Sequence, residues 1–479
     1  MKKIIISKLF LYRYRFIIGN VLLGVAFIAL MFLLPAIAQK GLSTAEMNSA
    51  VNSYYLGSDA VLNGDLVDLP YRLLQKLSIM IFGLTAYTIK LPSIIVGLIF
   101  GLLLILLLNR WFKSNVSLLA STLIVLSTPF LFLAGSGTPL IMVAFWPTLL
   151  LWLGSKIQGE KRPKPGYCFA FALALLLSIF TPYMLYFAIF CVIFVLVQPH
   201  LRFVVKSLPK LPFAVISLIV VAGLTSLIIN IINHPDTIMQ LLFAKNFEIG
   251  HFFQNILAGL SPLFSWKTSL EGVFLSPLIS LPTFALALIG LFSTTKGFFA
   301  SRNSIASLLI VFGLIITGFK SEMIIFLILP LSILVAHGLK YMLEKWYGLF
   351  PTNPYARISA LLPLTILFSI MIIPSLLQYI YGYRYNPNVA DDFSDTLTVI
   401  RENLTNQNLF VEEKDYRFYK ILEASSEIKV FDSNTEWTGE VAILKNIEEK
   451  HEKYQLSRII TSPKVDNSDI IYLYVEKGE

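Results

Sequence analysis

The feature that most constrains this chain is a series of apolar runs, each about 20 residues long. Such a run crosses the bilayer core as one α-helix, because a helix rises about 1.5 Å per residue and the core is about 30 Å thick. Eleven spans are predicted, at residues 16–38, 91–109, 116–134, 139–155, 167–181, 183–198, 212–232, 274–293, 304–319, 322–338 and 358–380. The predicted fold is therefore an all-α polytopic membrane bundle.

The composition excludes several other classes of protein. The chain is 56% hydrophobic and 14% charged, whereas soluble proteins are about 45–50% apolar and about 25% charged. These values exclude a soluble enzyme, a disordered protein and a disulfide scaffold. Both cysteines, Cys168 and Cys191, fall inside apolar runs, which favours a packing role over a redox role.

Charge is distributed unevenly along the chain. Residues 1–380 carry 26 Lys and Arg against 10 Asp and Glu, whereas residues 381–479 carry 12 against 19. Of the 26, the N-terminus and alternate loops hold 19 and the opposite loops hold 7. Because cytoplasmic loops are enriched in Lys and Arg, the N-terminus is predicted to be cytoplasmic and the C-terminal tail extracytoplasmic. A topology signal explains the basic excess, so nucleic acid is not an expected partner.

The bundle, residues 1–380, has two long outer loops, at 39–90 (the first loop) and at 233–273. Both are expected to contain helices that lie along the membrane surface. In residues 69–84 the helical spacing is carried by Leu69, Leu73, Leu77, Met80, Ile81 and Leu84.

Residues 381–479 are predicted to form a small α/β tail domain. Helices are expected at 391–404 and 414–424, and strands at 408–411, 427–431, 441–444, 458–461 and 470–475. The tail contains no Gly-rich phosphate loop, Cys/His cluster or catalytic triad pattern, so a structural or regulatory role is expected.

Ionisable residues are rare inside the predicted spans, with His337 as the main exception. Ion-coupled transporters place such groups near the midplane, because the coupling requires them. The polar residues instead gather at the outer ends of the spans. This distribution favours an enzyme that acts on a lipid-linked substrate at the outer surface over a lipid or polysaccharide transporter.

Glu46, just past the first span, is the foremost catalytic candidate. A carboxylate there could act as general base on an acceptor hydroxyl. The run Ser43-Thr44-Ala45-Glu46 also fits a capping box, in which Glu46 would close a helix start and Gly57 its end. The two roles are compatible, and the residues alone do not choose between them.

Three further acids lie in the first loop. Asp68 precedes Pro70 and is expected to cap the next helix. Asp59 and Asp65 lie beside glycines in turn-like sequence. All three are possible contacts for a divalent cation or for the acceptor, because hard cations prefer carboxylate oxygens. Their spacing does not specify a metal site, so a divalent cation is possible but no particular cofactor is predicted.

Two cations at the outer ends of late spans could hold the phosphate of a lipid-linked donor. Lys320 lies in a short turn, with Glu322 as an alternative ion-pair partner. Arg384 lies among tyrosines that are typical interfacial anchors.

Three segments resemble the GT-C superfamily of membrane glycosyltransferases, particularly the protein mannosyltransferase and aminoarabinose transferase branch. They are the exit of the first span with Glu46, the run from Ile81 to Ser93, and the run from Lys320 through Pro330 to Leu339. In the second segment Lys90 stands where the family has Arg. At the first, the family commonly shows Asp-Glu where this chain has Ala45-Glu46, and many members show His-Pro where it has Asp68-Leu69-Pro70.

The resemblance implies transfer of a sugar from a polyprenyl-phosphate donor to a glycan, lipid or protein acceptor outside the membrane. It also implies inversion at the anomeric carbon, with Glu46 at the position of the family's base. A catalytically inactive relative, a membrane scaffold that presents the tail, and a transporter are the alternatives.

Overall fold

The structure is a computed structural model. It describes residues 21, 24–35, 41–57, 66–158, 164–206, 210–233, 235–242, 249–264, 280–295, 301–349, 361–385, 393–433, 435–444, 453–461 and 470–477.

Helices dominate the chain up to residue 385. The first half contains α1 (Gly24–Pro35), α2 (Thr44–Tyr54), α3 (Leu69–Phe82), α4 (Ala86–Trp111), α5 (Ser114–Val125), α6 (Thr128–Gly135), α7 (Ile141–Gln158), α8 (Pro165–Ser178), α9 (Met184–Val197) and α10 (Pro199–Lys206). The second half contains α11 (Lys210–Asn233), α12 (Pro235–Leu242), α13 (Phe252–Phe264), α14 (Leu281–Thr295), α15 (Ser301–Phe319), α16 (Ile328–Leu349) and α17 (Leu361–Tyr385). Short 3₁₀ helices, Ile249–His251 and Ser321–Leu327, precede α13 and α16.

Every predicted span overlaps an apolar helix. Within the described ranges, three helices are long and apolar enough to cross a membrane, or four if the bent pair α5–α6 is one span. Seven shorter apolar helices of 10–17 residues accompany them. The mostly helical fold is thus confirmed, while the number of spans that cross the bilayer stays a prediction.

The span predicted at 116–134 is broken in the middle. Helices α5 and α6 meet at an angle of 66°. Ser127 has an extended backbone and Pro129 lies in the first turn of α6, so the helix restarts there instead of continuing. The break leaves α6 and the turn after it, residues 136–140, at the end of the bundle that contacts the first loop.

Two glycines bring α14 and α16 into backbone contact. A Cβ atom on Gly290 would overlap the carbonyl oxygen of Leu334, and one on Gly338 would overlap that of Leu286. Small residues permit such close approach of membrane helices. The contact fixes α16, which follows directly from the 3₁₀ segment after Lys320.

The C-terminal tail contains a five-stranded mixed sheet, in the order β4-β3-β5-β7-β6. Its strands are β3 (Asn408–Val411), β4 (Lys429–Asp432), β5 (Val441–Leu444), β6 (Tyr454–Thr461) and β7 (Ile470–Glu476). Strand β3 pairs in parallel with β4 and β5, and β7 pairs antiparallel with β5 and β6. The predicted α/β tail is confirmed, with α18 (Thr396–Asn403) and α19 (Glu413–Tyr419) as its α-helices.

The helix predicted at 391–404 begins later than expected. Residues Phe393–Ser394 instead form strand β2, which pairs antiparallel with β1 (Leu42–Ser43) of the first loop. The Arg401 guanidinium also donates to the carbonyl of Leu84 at 2.8 Å. An apolar core joins the two regions, formed from the first loop by Leu42, Ala50, Ile79, Leu84 and Ile89 and from the tail by residues that include Leu397, Ile400, Leu422 and Val430. The tail is therefore packed against the first loop.

Candidate functional site

Glu46 lies in the first turn of α2 and is only 1% exposed. The predicted capping box is confirmed: the Glu46 N–H donates to Ser43 Oγ at 3.3 Å, and the Ser43 N–H donates to Glu46 Oε2 at 2.9 Å. The helix ends at Tyr54 with Tyr55 as its C-cap, two residues before Gly57, which was predicted to close it. The other carboxylate oxygen, Oε1, accepts the Gly137 N–H at 2.6 Å. The carboxylate thus receives a donor on each of its oxygens.

A buried lysine compensates the charge of this carboxylate. Lys90 in α4 is also 1% exposed, and its Nζ lies 3.8 Å from Glu46 Oε2. The same ammonium donates to the Gly41 carbonyl at 2.7 Å and lies 5.6 Å from the centre of the Phe393 ring in β2. A buried charge is costly unless it is paired and hydrogen-bonded, so this pair requires both of its members.

The turn at Gly137 is held from both sides. Its N–H donates to Glu46, and its carbonyl accepts from Gln75 Nε2 at 2.9 Å. Gln75, in α3, is fully buried. Its Nε2 also donates to the Ile89 carbonyl at 3.0 Å, and its Oε1 accepts from two hydroxyls of α2, those of Ser49 and Ser53, at 2.9 and 2.6 Å. We call Glu46, Gln75, Lys90 and Gly137 the Glu46 network.

Close packing explains the glycine at this turn. A Cβ atom on Gly137 would lie 2.6 Å from the Ile89 side chain and 3.1 Å from its carbonyl oxygen. Beside it, the Tyr71 and Ser93 hydroxyls lie 2.7 Å apart, and Ser93 donates to the Thr138 carbonyl at 3.3 Å. Burial raises the pKa of the Tyr71 phenol, and the negative charge of Glu46 raises it further, while the bond to Ser93 lowers it. Tyr71 is therefore neutral at physiological pH.

The first-loop acids are only partly described. Asp59 and Asp65 lie outside the described residues. Asp68 occupies the N-cap position of α3, as predicted, but its side chain makes no capping hydrogen bond. Its backbone is left-handed, with φ 56°, and its N–H donates to the Phe180 carbonyl at 2.8 Å. Asp68 thus ties the first loop to the turn between α8 and α9.

No group of three or more potential metal ligands occurs in the described part of the chain. The carboxylate of Glu46 is engaged with the Ser43 and Gly137 N–H groups and with Lys90. A divalent cation at the first-loop acids stays a prediction.

The Lys320 ammonium forms an ion pair with Glu322, with Nζ 2.6 Å from Oε2. Lys320 keeps 44% of its side chain exposed, and Glu322 is mostly covered. Tyr183, in the turn before α9, stacks on Phe319 with ring centres 6.5 Å apart. Tyr186 and Phe319 stack nearby, with ring centres 5.5 Å apart.

Glu46 and Lys320 make separate sets of contacts among the described residues. Glu46 contacts the first loop and the Gly137 turn, and Lys320 contacts Glu322 at the start of the 3₁₀ segment. The α8–α9 turn accepts the N–H of Asp68 and also contains Tyr183. Arg384 lies in the last turn of α17, and its side chain is outside the described residues. A shared pocket for Glu46 and Lys320 stays a prediction.

Sequence reasoning passed over Lys90 and Gln75 as functional residues. The sequence feature that could have identified Lys90 is its position at the start of an apolar span, because a cation buried there needs an acidic or hydrogen-bonding partner. Gln75 carried no comparable signal, because one amide in an amphipathic stretch is ordinary.

Comparison with known proteins places this geometry in a wider context. Residues 70–226 match the model of the dolichyl-phosphate-mannose-protein mannosyltransferase family. This segment holds α3, α4 and the Gly137 turn, so it covers most of the Glu46 network. No curated protein sequence gives a significant match.

Solved structures match over a longer range. ArnT from Cupriavidus metallidurans, solved bound to undecaprenyl phosphate, has 13% identity and a TM-score of 0.54, over 95% of this chain and 98% of ArnT. The Archaeoglobus fulgidus oligosaccharyltransferase, tethered to an acceptor peptide, has 13% identity and a TM-score of 0.51 over 85% of this chain. This chain spans 63% of the oligosaccharyltransferase. The long apolar helices and the helical first loop agree with these structural likenesses. The chain therefore has the fold of the GT-C membrane glycosyltransferases.

Proposed function

We propose that this protein is an integral membrane glycosyltransferase of the cell envelope, which takes a sugar from a polyprenyl-phosphate donor at the outer ends of its spans. The observation that carries the proposal is the match to ArnT over nearly the full length of both chains. The match of residues 70–226 to the mannosyltransferase family supports the same reaction class. The acceptor is a glycan, a lipid or a protein on the extracytoplasmic side.

In this reaction an acceptor hydroxyl attacks the anomeric carbon of the donor. A bond forms from the acceptor oxygen to that carbon, the bond from the carbon to the phosphate oxygen breaks, and the lipid phosphate leaves with the electron pair. A carboxylate accepts the hydroxyl proton, and a cation offsets the charge on the phosphate. Glu46 is the proposed base, and Lys320 with Arg384 the proposed phosphate ligands. The first-loop acids Asp59, Asp65 and Asp68 are proposed contacts for the acceptor or a divalent cation.

The contacts of Glu46 set a condition on this assignment. Both carboxylate oxygens accept from backbone N–H groups, and Lys90 neutralises the charge. A base must approach the proton it abstracts to hydrogen-bonding distance. Because Glu46 is only 1% exposed, it can act as base only if substrate binding opens a path to its carboxylate, for example by moving the Gly137 turn.

That condition favours a second candidate function, in which the chain is a membrane scaffold that presents its tail domain. Glu46 would then be purely structural, and its contacts would be complete as they stand. The two functions differ in one measurable property, the consumption of a lipid-linked donor.

The first experiment tests the donor. The purified full chain in nanodiscs is titrated with undecaprenyl phosphate, and membranes that contain it are incubated with radiolabelled undecaprenyl-phosphate sugars and cell-envelope acceptors. The glycosyltransferase proposal expects saturable binding and transfer of the label. Absence of both favours the scaffold. Loss of transfer on chelation of divalent cations would support the cation at the first-loop acids.

The second experiment separates the roles of Glu46. Glu46→Gln keeps the size of the side chain but loses the carboxylate. A general base contributes about 10²–10⁴-fold, so transfer should fall by that factor. Circular dichroism and gel filtration report the folded fraction. If that fraction is small but has full specific activity, Glu46 is structural.

The third experiment addresses the donor phosphate. Lys320→Ala should weaken use of the donor more than use of the acceptor, and Lys320→Arg should retain part of the activity because the charge survives. Lys345→Ala is the matched control, since Lys345 is an exposed lysine near the far end of α16. Equal effects of the two alanine variants would refute a phosphate site at Lys320.

A further inference from the structure

The tail domain packs directly against the backbone that holds Glu46. Strand β2 of the tail pairs with β1 of the first loop, and in this register Phe393 lies opposite Ser43. Ser43 is the N-cap of α2: its N–H donates to the Glu46 carboxylate, and its hydroxyl accepts the Glu46 N–H. One pair of strands therefore connects the tail to the residue that orients the Glu46 side chain.

Gly41, the residue before β1, lies equally close to the tail. A Cβ atom on Gly41 would lie 2.8 Å from Asp395 Oδ1 and 2.9 Å from the Ser394 carbonyl oxygen. Because side-chain carbon atoms do not approach other heavy atoms so closely, a glycine is needed for the tail backbone to pack here. The carbonyl of this glycine accepts a hydrogen bond from the Lys90 ammonium at 2.7 Å. The tail therefore sets the position of a group that holds Lys90.

The Phe393 side chain reaches the same ammonium. Its ring centre lies 5.6 Å from Lys90 Nζ, within the roughly 6 Å over which the face of an aromatic ring attracts a cation. Phe393 is only 7% exposed, so water screens this attraction little. The distance from Nζ to Glu46 Oε2 is 3.8 Å, which is longer than a direct hydrogen bond. The ammonium is therefore shared between the tail, the first loop and the carboxylate.

We infer that Phe393 is a positioning residue for Glu46, which acts through Lys90. The inference rests on the proposed function, in which Glu46 takes the proton of the acceptor hydroxyl. A direct hydrogen bond from a cation stabilises an ionised carboxylate and makes it a weaker base. The Phe393 ring attracts the ammonium and, together with the Gly41 carbonyl, keeps it 3.8 Å from the carboxylate. The tail domain thus contributes a side chain to the site.

The same contact matters as the proton moves. Protonation of Glu46 removes the negative charge beside Lys90, and a buried cation that loses its counter-charge is costly. The attraction of an aromatic ring does not depend on that charge, so the ammonium can move toward Phe393 while the carboxylate is neutralised. The contact then strengthens during the reaction. An interaction that is stronger in the transition state than in the ground state raises the rate.

The test changes the electrostatics of the ring and keeps its shape. Phe393 of the full chain is replaced, by suppression of an amber codon, with mono-, di- and trifluorophenylalanine, which weaken the attraction of the ring for a cation step by step. Transfer from the radiolabelled undecaprenyl-phosphate sugars is measured per amount of folded protein. Phe418, which is buried in the tail core with no described cation over its ring, receives the same series as the control.

The transfer rate at saturating donor should fall with each added fluorine at Phe393, while the KM for the donor stays unchanged and the Phe418 series is flat. Transfer by Phe393→Leu, which lacks the ring, should fall by about 2–30-fold, the factor that corresponds to loss of one cation–π contact. A flat series at Phe393, with transfer intact in the unmodified chain, would overturn the inference and leave the proposed function standing. Absence of transfer in the unmodified chain would refute the proposed function, and the inference with it.

A measurement that needs no activity tests the contact itself. In reversible unfolding of the purified chain in mixed micelles, the losses of stability in Phe393→Leu and Lys90→Met should not add, because the two residues share one contact. Additive losses would overturn the inference as well. If Phe393→Leu fails to fold, the trifluorophenylalanine variant takes its place in this double-variant comparison.

Discussion

Replacement of Gln75 tests the Glu46 network most directly. Methionine has a similar length and no amide, so Gln75→Met removes four hydrogen bonds while largely keeping the volume. It leaves the Ile89 and Gly137 carbonyls buried without this donor. Each neutral hydrogen bond contributes about 0.5–1.5 kcal/mol, so the variant should lose about 2–6 kcal/mol of unfolding free energy.

The assay is reversible unfolding of the purified chain in mixed micelles, with dodecyl sulfate as denaturant. Gln254→Met is the control, because Gln254 is exposed on α13. Hydrogen exchange followed by mass spectrometry gives a local measurement. Amide hydrogens at residues 136–138 should exchange faster in Gln75→Met. The variant lacks the hydrogen bond from Gln75 to the Gly137 carbonyl, so the turn that protects the Gly137 N–H is held less firmly.

Coupling to Glu46 provides a second criterion. Glu46 accepts from the N–H of Gly137 and Gln75 donates to its carbonyl, so the two side chains hold the backbone of the same residue from both sides of its Cα atom. Residues that share a partner couple by about 0.5–3 kcal/mol, so the losses in the double variant should not add. If Gln75→Met costs no more than Gln254→Met, or if the two losses at Gln75 and Glu46 are additive, the network as described is wrong.

Three further predictions address other parts of the structure. Lys90→Met should cost about 3–5 kcal/mol by the same unfolding assay, because it leaves the Glu46 carboxylate buried without its cation; an unchanged unfolding midpoint would show that Lys90 does not stabilise the buried carboxylate. Gly290→Ala should cost about 1–3 kcal/mol or more, because its methyl group would overlap the backbone of α16. Gly348→Ala, in open space, should be neutral. Equal unfolding midpoints of the two variants would contradict the close crossing of α14 and α16. Glu402→Cys should react with a membrane-impermeant maleimide on intact cells, as the odd number of predicted spans requires; protection from the reagent would reverse the topology.

Local patterns in the sequence predicted much of this fold. The apolar runs predicted the helices, because a helix that crosses the lipid core needs about 20 consecutive apolar residues, and such a run is visible directly in the sequence. The alternation of short predicted strands and helices predicted the α/β tail. The capping box at Ser43 and Glu46 was predictable for the same reason, since its two partners lie three residues apart.

The Glu46 network was not predictable in this way, because its contacts are distant in sequence. Gly137 lies 91 residues after Glu46 and 62 after Gln75. Periodicity in α3 showed that the helix has two faces, but it did not show that the polar face is directed into the protein. The hydrogen-bond acceptors that settle this question are backbone carbonyls, and every residue type carries one.

The pairing of β1 with β2 has a consequence for biogenesis. The first loop finds part of its core in the tail, and 317 residues separate Leu84 from its partner Arg401. Translation at about 5–20 residues per second would separate their synthesis by roughly 15–60 s. During this interval the early spans are inserted while β1 lacks its partner strand and the Phe393 ring is absent from Lys90. The charged pair of the first loop is thus completed among the last events of synthesis, which makes its assembly dependent on delivery of the tail to the same side of the membrane.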